Sequence, residues 1–195
     1  MRRTRLNLLL AFLLLFPSSI AIQAQGGPYE DTLAKIRPLV VSGNQKHRDK
    51  DYNGAIADFT KAIELGGNLP DMLRAGPYLN RGLAYKEKGE LDAALADLNK
   101  AIKLQSNNVY AYQDRGEIYR KREEAEKAIA DFDKALKISD KFAPAFRSRG
   151  LVLLSQGMDA EAETDFAKFL QLMPAARNSL AQEIAEIKAK RPTKP

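Results

Sequence analysis

Small and bulky apolar residues return along this chain at a near-fixed spacing, with charged and polar positions between them. One alanine recurs at intervals of 39, 34 and 34 residues, and a glycine and a bulky apolar residue share these intervals. The three sets are Ala55, Ala94, Ala128 and Ala162; Gly43, Gly82, Gly116 and Gly150; and Phe59, Leu98, Phe132 and Phe166. A period of this size predicts stacked units that bury their apolar faces against one another.

Each unit carries the spacing of two amphipathic helices. In the third unit, Tyr112, Gly116 and Tyr119 are spaced by four and three, which places them on one helical face. After the polar stretch 122–124, apolar residues again recur at helical spacing up to Ile138. The second and fourth units repeat this arrangement, so a helix–turn–helix unit is predicted for each.

These residues resemble the tetratricopeptide repeat (TPR) family. The family's 34-residue helix–turn–helix unit has an aromatic, a glycine and a second aromatic on its first helix, then an alanine, an aromatic and another alanine on its second. The stretch RGLAYKEKGELDAALADLNKAIKL, residues 81–104, carries most of this pattern, and the resemblance covers about residues 36–174. It implies an all-α solenoid, wound as a right-handed superhelix, that ends in a C-terminal capping helix.

The spacing also predicts how the chain is divided. The segments are a signal peptide (1–24), a lead-in (25–35), four TPR units (36–69, 75–108, 109–142 and 143–176), a capping helix (177–190) and a basic tail (191–195). Residues 70–74 lengthen the link between the first two units. The apolar stripe of the capping helix is Leu180, Ile184 and Ile187; the alternative use of this helix is to bind a partner.

The first residues have the order of a secretory signal peptide. Arg2, Arg3 and Arg5 precede the apolar run Leu8–Phe16, and small residues follow as far as Ala24. The run is shorter than the roughly 20 apolar residues that span a bilayer. We therefore expect cleavage, no stable membrane anchor afterwards and a periplasmic or secreted protein; the alternative is a retained N-terminal anchor.

Charge and composition narrow the function classes. The formal charge is +6, and residues 1–24 hold three arginines and no acid, so cleavage leaves +3. That charge is weak support for nucleic-acid binding. The chain has no cysteine and one histidine, and it lacks the Gly-rich, HExxH and GxSxG motifs. We therefore expect no enzyme activity, no cofactor and no metal.

Charged residues also recur in register. Arg81, Arg115 and Arg149 share one place on the first helices, and Asp58, Asp97, Asp131 and Asp165 share one on the second helices. One hypothesis is an Arg–Asp ladder that fixes the register of neighbouring helices. The alternative is a solvated surface with local Asp–Lys pairs.

The resemblance also implies a binding site, because in this family the first helices line the concave face. The same helical positions in this chain are the predicted peptide-groove residues: Asn44, Leu79, Leu83, Lys86, Gln113, Glu117, Arg120, Lys121, Arg147, Leu151 and Leu154. In the first unit, Val40, His47 and Arg48 lie beside them. Some family members clamp a C-terminal carboxylate; Asn44 and Asn80 match two clamp positions. Val40, Tyr110 and Asp114 stand where cations are required, and Asp114 would repel a carboxylate, so we reject that specificity.

The expected function is therefore a non-enzymatic adaptor in the bacterial periplasm or cell envelope. Its partner is another protein or peptide, with a short amphipathic segment held in the groove. The alternative is a self-associating structural protein, a homo-oligomer that packs through its repeat ends or its convex face.

Overall fold

A computed structural model describes residues 27–191, which form α-helices joined by short turns. The predicted signal peptide and residues 192–195 lie outside the described residues. The helices are α1 (Glu30–Arg48), α2 (Tyr52–Leu65), α3 (Asp71–Lys88), α4 (Leu91–Leu104), α5 (Val109–Lys121), α6 (Ala125–Ile138), α7 (Ala143–Ser155), α8 (Asp159–Leu172) and α9 (Arg177–Lys190). The 3₁₀ turn Pro174–Ala176 precedes α9. An all-α helical repeat is thereby confirmed.

The first eight helices form four hairpins, α1–α2, α3–α4, α5–α6 and α7–α8, and each hairpin packs on the next. The first helices of consecutive hairpins also touch one another, whereas within residues 27–191 the second helices make no comparable mutual contact. The first helices α1, α3, α5 and α7 therefore line the inner, concave face. Helix α9 packs against α7, the inner helix of the fourth repeat.

The turn inside every hairpin uses one residue in the left-handed conformation. The four residues are Lys50 and Glu123, both at φ 62°, Gly89 at φ 88° and Gly157 at φ 80°. They stand at equivalent places in the four repeats. Glycine adopts this conformation without a steric cost, whereas Lys50 and Glu123 hold it under strain.

Recurring glycines on the first helices allow the two helices of a hairpin to approach closely. A Cβ at Gly43, Gly116 or Gly150 would lie 2.7, 2.6 and 2.6 Å from the ring of Phe59, Phe132 or Phe166. At Gly82 the nearest side-chain atom is Leu98 Cγ at 3.2 Å. The bulky residue of each second helix therefore packs directly over the backbone of the first.

Helix α3, like α1 with its 19 residues, is longer than the two later inner helices. It has 18 residues, whereas α5 and α7 have 13. Residues 71–74, which the sequence analysis assigned to a link, form its first turn. Pro70 precedes the helix at ψ 146°, and Asp71 places a carboxylate in the first turn, where the helix dipole favours it. The added residues thus lengthen a helix, whose start extends further than the starts of α5 and α7.

The core is divided among the repeats rather than gathered in one centre. Separate hydrophobic clusters lie within the hairpins and between neighbours, and the C-terminal cluster includes Leu151, Leu154, Phe166, Phe169 and Leu180. No helix within residues 27–191 has the length and apolar character needed to cross a bilayer.

Candidate protein-binding groove

The concave face is crossed by polar contacts between successive inner helices. Asn80 of α3 donates a hydrogen bond from Nδ2 to Asn44 Oδ1 of α1 at 3.0 Å. Lys86 Nζ of α3 donates to Asp114 of α5. Further along, Gln113 donates to Ser148 Oγ of α7 at 2.9 Å. These contacts fix the spacing of the inner helices and so set the shape of the groove.

The predicted groove residues belong to the inner helices and are buried to different depths. Asn44, Leu79, Leu83, Lys86, Gln113, Glu117, Arg120 and Arg147 are half-buried, and Lys121 is exposed. Leu151 and Leu154 are 4% and 2% exposed. The two leucines of α7 therefore differ from the others because they belong to the C-terminal hydrophobic cluster.

The apolar part of the accessible groove lies on α1 and α3. Leu79 packs against the hydrophobic cluster of the second repeat, and Val40 packs against the clusters of the first. Leu83 is half-buried and does not take part in the hydrophobic clusters found among the described residues. An apolar side chain of a partner would pack against the exposed part of Leu83.

The next part of the groove, on α3 and α5, is ionic. Burial raises the pKa of Asp114, while the nearby ammonium group of Lys86 opposes that rise. Glu117 accepts hydrogen bonds from Arg120 at 2.7 and 2.9 Å and one from Ser148. The charges here are largely matched within the chain, so this part favours a partner of mixed charge over a strongly charged one.

Helix α9 closes the groove at the fourth repeat. Leu180 lies in the cluster with Leu151 and Leu154, and Ile184 and Ile187 pack against it. Arg147 donates to both carboxylate oxygens of Glu183, at 3.3 and 2.5 Å. The accessible groove therefore extends over the first three repeats, a limit that the α7 sequence alone does not reveal.

A pocket of about 430 Å³ lies where the groove meets α9. Its lining combines apolar and polar side chains: Arg120, Glu123, Ala125, Leu151, Val152, Ser155, Gln156 and Ile187. Sequence reasoning missed this pocket because it depends on where α9 docks. It offers a place for one apolar side chain at the end of a bound segment.

The residues of the rejected carboxylate clamp are engaged elsewhere. Asn44 and Asn80 bind each other, Asp114 pairs with Lys86, and the Tyr110 ring makes an edge contact with Phe142, with centroids 5.5 Å apart. His47 packs edge-on against the Tyr52 ring at 5.6 Å. This arrangement places a carboxylate, not a cation, where the clamp needs positive charge.

The hypothesis of an Arg–Asp ladder is confirmed. Arg115 donates from Nε and Nη2 to both oxygens of Asp131, each at 2.7 Å, and Arg81 and Arg149 bind Asp97 and Asp165 in the same way. The three aspartates are buried. Hydrogen bonding to Asp131 raises the pKa of Arg115, so the guanidinium group stays charged.

Each ladder arginine also reaches the preceding repeat, which the sequence analysis did not foresee. In each case the third guanidinium nitrogen donates a hydrogen bond to a side chain of the preceding repeat. The acceptor lies two residues after the aspartate of that repeat: Arg81 donates to Thr60 at 2.9 Å, Arg115 to Asn99 at 2.6 Å and Arg149 to Asp133 at 2.5 Å. One side chain thus joins three helices and fixes the orientation of the inner helix that carries groove residues.

Nothing in residues 27–191 brings together three or more histidine, aspartate or glutamate side chains in a geometry that would hold a metal ion. The arrangement offers a shaped surface for a macromolecule.

Comparisons with known proteins agree with this architecture. Two family profiles match the chain: one described as "TPR repeat" over residues 82–121, and one described as "Tetratricopeptide repeat" over residues 109–142. The small glutamine-rich tetratricopeptide repeat-containing protein 2 of Mycosarcoma maydis is 35% identical over 85 residues, which are 44% of this chain. The matched part spans 23% of that relative's length.

Two solved structures have a similar fold. The crystal structure of MamA is 27% identical, with a TM-score of 0.63, over 77% of this chain and 87% of that one. The first TPR domain of Spaghetti (RPAP3), bound to the HSP90 peptide SRMEEVD, is 24% identical with a TM-score of 0.57, over 64% of this chain and 94% of that one.

Proposed function

Because the chain belongs to the tetratricopeptide repeat family, we propose that it is a non-enzymatic scaffold that binds another protein through its concave groove. The bound part is a short amphipathic segment. Its apolar side rests on α1 and α3, and its polar side meets the ionic side chains of α3 and α5.

One observation carries this proposal: Leu83 sits half-buried on the inner face between Leu79 and the Lys86–Asp114 pair, outside the hydrophobic clusters of the described chain. An apolar side chain in that position gains stability when a partner covers it. The RPAP3 domain, whose fold is similar, binds a peptide. Asp114 argues against the same acidic peptide here.

The proposed location is the bacterial periplasm or cell envelope. The support is the order of basic, apolar and small residues from Arg2 to Ala24. Fractionation of the native host, with the N-terminal residue of the purified protein read by sequencing, tests this location. A protein that begins at residue 25 in the envelope fraction supports it, and an uncleaved cytoplasmic protein contradicts it.

Affinity capture tests the groove. The wild-type chain and Leu83→Glu are crosslinked in the native host's envelope, and the captured proteins are identified by mass spectrometry. Met158→Glu is the matched control, because Met158 is 41% exposed and lies in the turn before α8, away from the groove. We expect one partner with the wild type and with Met158→Glu, and its loss with Leu83→Glu.

Circular dichroism and urea unfolding verify that the three proteins fold alike. A partner that persists with Leu83→Glu contradicts binding in the groove. Equal loss with both variants shows a general effect of added charge and also contradicts the assignment to Leu83.

A second candidate function, self-association, is favoured by the open end of the array. Val41 of α1 is 66% exposed and stands at the position equivalent to Asn80, which binds the preceding repeat. No repeat precedes α1 in the described chain, so a second copy would cover this apolar side. Sedimentation over a range of concentrations tests this: a mass that rises in the wild type but not in Val41→Glu supports it.

A further inference from the structure

The exposed apolar side chains are distributed unevenly over the solenoid. Inner helices start, and outer helices end, along one long edge. Seven of the nine exposed large hydrophobic residues found in residues 27–191 lie there: Tyr29, Leu65, Met72, Leu73, Tyr110, Ile138 and Met173. We name these seven residues the apolar edge. Single exposed apolar residues are common, but chance would scatter them over both edges.

The opposite edge has the reverse character. It contains the turns inside the hairpins, and ion pairs join its exposed side chains. These pairs are Lys88–Glu90 at 2.6 Å, and Arg122–Asp92, Lys127–Glu124 and Arg191–Asp159 at 2.5 Å each. Met158 is the exposed large hydrophobic residue described on that side. The two edges therefore present different chemistry to whatever lies beyond them.

The additional turn of α3 increases this difference. It places Met72, which is 70% exposed, and Leu73 beyond the starts of α5 and α7. Tyr110 at the start of α5 is 60% exposed. Met72 and Leu73 lie at the tip of α3 and Tyr110 at the tip of α5, where its ring is edge-on to Phe142, and the pocket of about 430 Å³ lies elsewhere. A row of separate apolar tips suits a broad, flat partner better than a single inserted helix.

The charged side chains of the apolar edge indicate the charge of that partner. The three links after α4, α6 and α8, with the last turns before them and the first residue of α9, carry four exposed cations and one exposed carboxylate: Lys103, Lys137, Lys141, Arg177 and Asp140. The first part of the edge is more acidic, since Glu30 pairs with Arg37 and Asp71 with Arg74, while Asp31 and Glu64 add two exposed carboxylates. The basic part of the edge therefore begins after α4. Basic side chains among apolar and tyrosine tips suit the headgroup region of an anionic bilayer.

The chain outside the described residues joins the protein at this same edge. Residues 17–28 separate the apolar run Leu8–Phe16 from Tyr29, a distance of at most about 40 Å when extended. While the run is attached to the protein and held in a membrane, it keeps this edge close to that membrane. This continuity favours a lipid surface over a second protein copy.

From these observations, we propose that the apolar edge rests on the surface of an anionic lipid bilayer and leaves the concave groove free for its protein partner. The contact is peripheral: tyrosine, methionine and leucine tips enter the headgroup region while lysines and arginines meet lipid phosphates. This proposal rests on the edge alone and does not require that the groove assignment be correct.

The full chain allows a clean test because it contains no cysteine. Met72→Cys and Met158→Cys each give one site for an environment-sensitive fluorophore, one on each edge. The labelled proteins are mixed with vesicles of phosphatidylcholine alone or with phosphatidylglycerol, with and without a nitroxide-bearing lipid. We expect a severalfold brightening at position 72 with phosphatidylglycerol vesicles, quenching by the nitroxide lipid and loss of both at high salt.

Position 158 should stay unchanged under the same conditions. Equal quenching at both positions shows a protein tethered without orientation, which overturns the proposal, and so does no response at position 72. A label at position 72 that responds to protein concentration without lipid identifies a second copy as the occupant and also overturns it. The urea midpoint of each labelled protein verifies that it is folded.

Discussion

The first and third repeats place their helices alike but are held together by different side chains. In the third repeat, Arg115 joins α5 to Asp131 of its own second helix and to Asn99 of the preceding one. In the first repeat, Ser42 stands at the equivalent place, and Asp58 pairs with Lys46 at 2.8 Å. The shared packing of glycine against phenylalanine therefore makes the hairpin, and the arginine adds a link between repeats.

The difference follows from what each repeat has for a neighbour. Arg115 has a preceding second helix, α4, whose Asn99 satisfies its third nitrogen. In the described chain no helix precedes α1. An arginine in place of Ser42 would therefore have Asp58 as an acceptor in its own repeat but no acceptor on a preceding second helix. An end repeat thus keeps the residues that pack its own hairpin and changes those that face an absent neighbour.

The largest expected effect comes from breaking the ladder in the third repeat. Arg115→Ala leaves the buried carboxylate of Asp131 without its ion-pair partner, which should lower the free energy of unfolding by about 3 kcal/mol. Ser42→Ala in the first repeat should cost less than about 1 kcal/mol. Urea unfolding measures both. Recovery of much of the loss in Arg115→Met, Asp131→Leu would show that the unpaired charge is the cause, and equal losses in the two repeats would contradict the comparison.

The packing that the two repeats share should respond equally in both. Gly43→Ala and Gly116→Ala each place a Cβ within 2.7 Å of a buried phenylalanine ring, so each should destabilise by about 1–2 kcal/mol despite alanine's better helix propensity. Gly82→Ala is the control, because its Cβ meets Leu98 at 3.2 Å and should be near neutral. A large cost at Gly82 would mean that glycine serves another purpose there.

The strained turns offer a stabilising change of similar size in both repeats. Lys50→Gly and Glu123→Gly relieve a left-handed residue and should each raise the free energy of unfolding by about 0.5–1 kcal/mol. Gly89→Ala, made at an equivalent turn, should lower it by about 1 kcal/mol. Calorimetric melting of the three variants would check this. A loss of stability in Lys50→Gly would show that its side chain makes a contact worth more than the strain.

The smallest effect is a contrast in pH dependence between Asp58 and Asp114. Burial alone would raise the pKa of Asp58, but hydrogen bonds from Lys46 and Ser42 and the charges of Lys46 and Lys61 lower it overall. Its stabilising contribution is therefore present above about pH 4 and is lost as the pH falls through the lowered pKa. Burial raises the pKa of Asp114, so the folded chain takes up this proton before the unfolded chain does.

Urea midpoints between pH 6 and pH 3, taken for the wild type, Asp58→Asn and Asp114→Asn, measure this contrast. As the pH falls, the urea midpoint of the wild type should lose its excess over that of Asp58→Asn. Over the same range, the urea midpoint of the wild type should rise relative to that of Asp114→Asn. Differences that move in the same direction for both variants would contradict these pKa assignments.

Periodicity in the sequence was sufficient for the helices and the repeats, because each depends on residues a fixed distance apart, and it placed the arginines and aspartates of the ladder in register. It left open whether these side chains pair with one another or face the solvent. It was also insufficient for Leu151 and Leu154, which stand at the places of Leu83 and Lys86 but whose burial depends on where α9 docks. Sequence periodicity also did not predict the apolar edge. Met72 and Tyr110 belong to helices far apart in sequence, and only the parallel stacking of α3 and α5 brings their starts to one side.

A photoreactive residue placed at position 83 would show whether the groove of the first three repeats holds a protein partner. The same residue at position 158 is the control on the opposite edge. After irradiation in the native host, we expect one partner to be crosslinked from position 83, through a short amphipathic segment, and none from position 158. Crosslinks from position 83 to the chain itself alone, or one partner captured equally from both positions, would contradict binding in this groove.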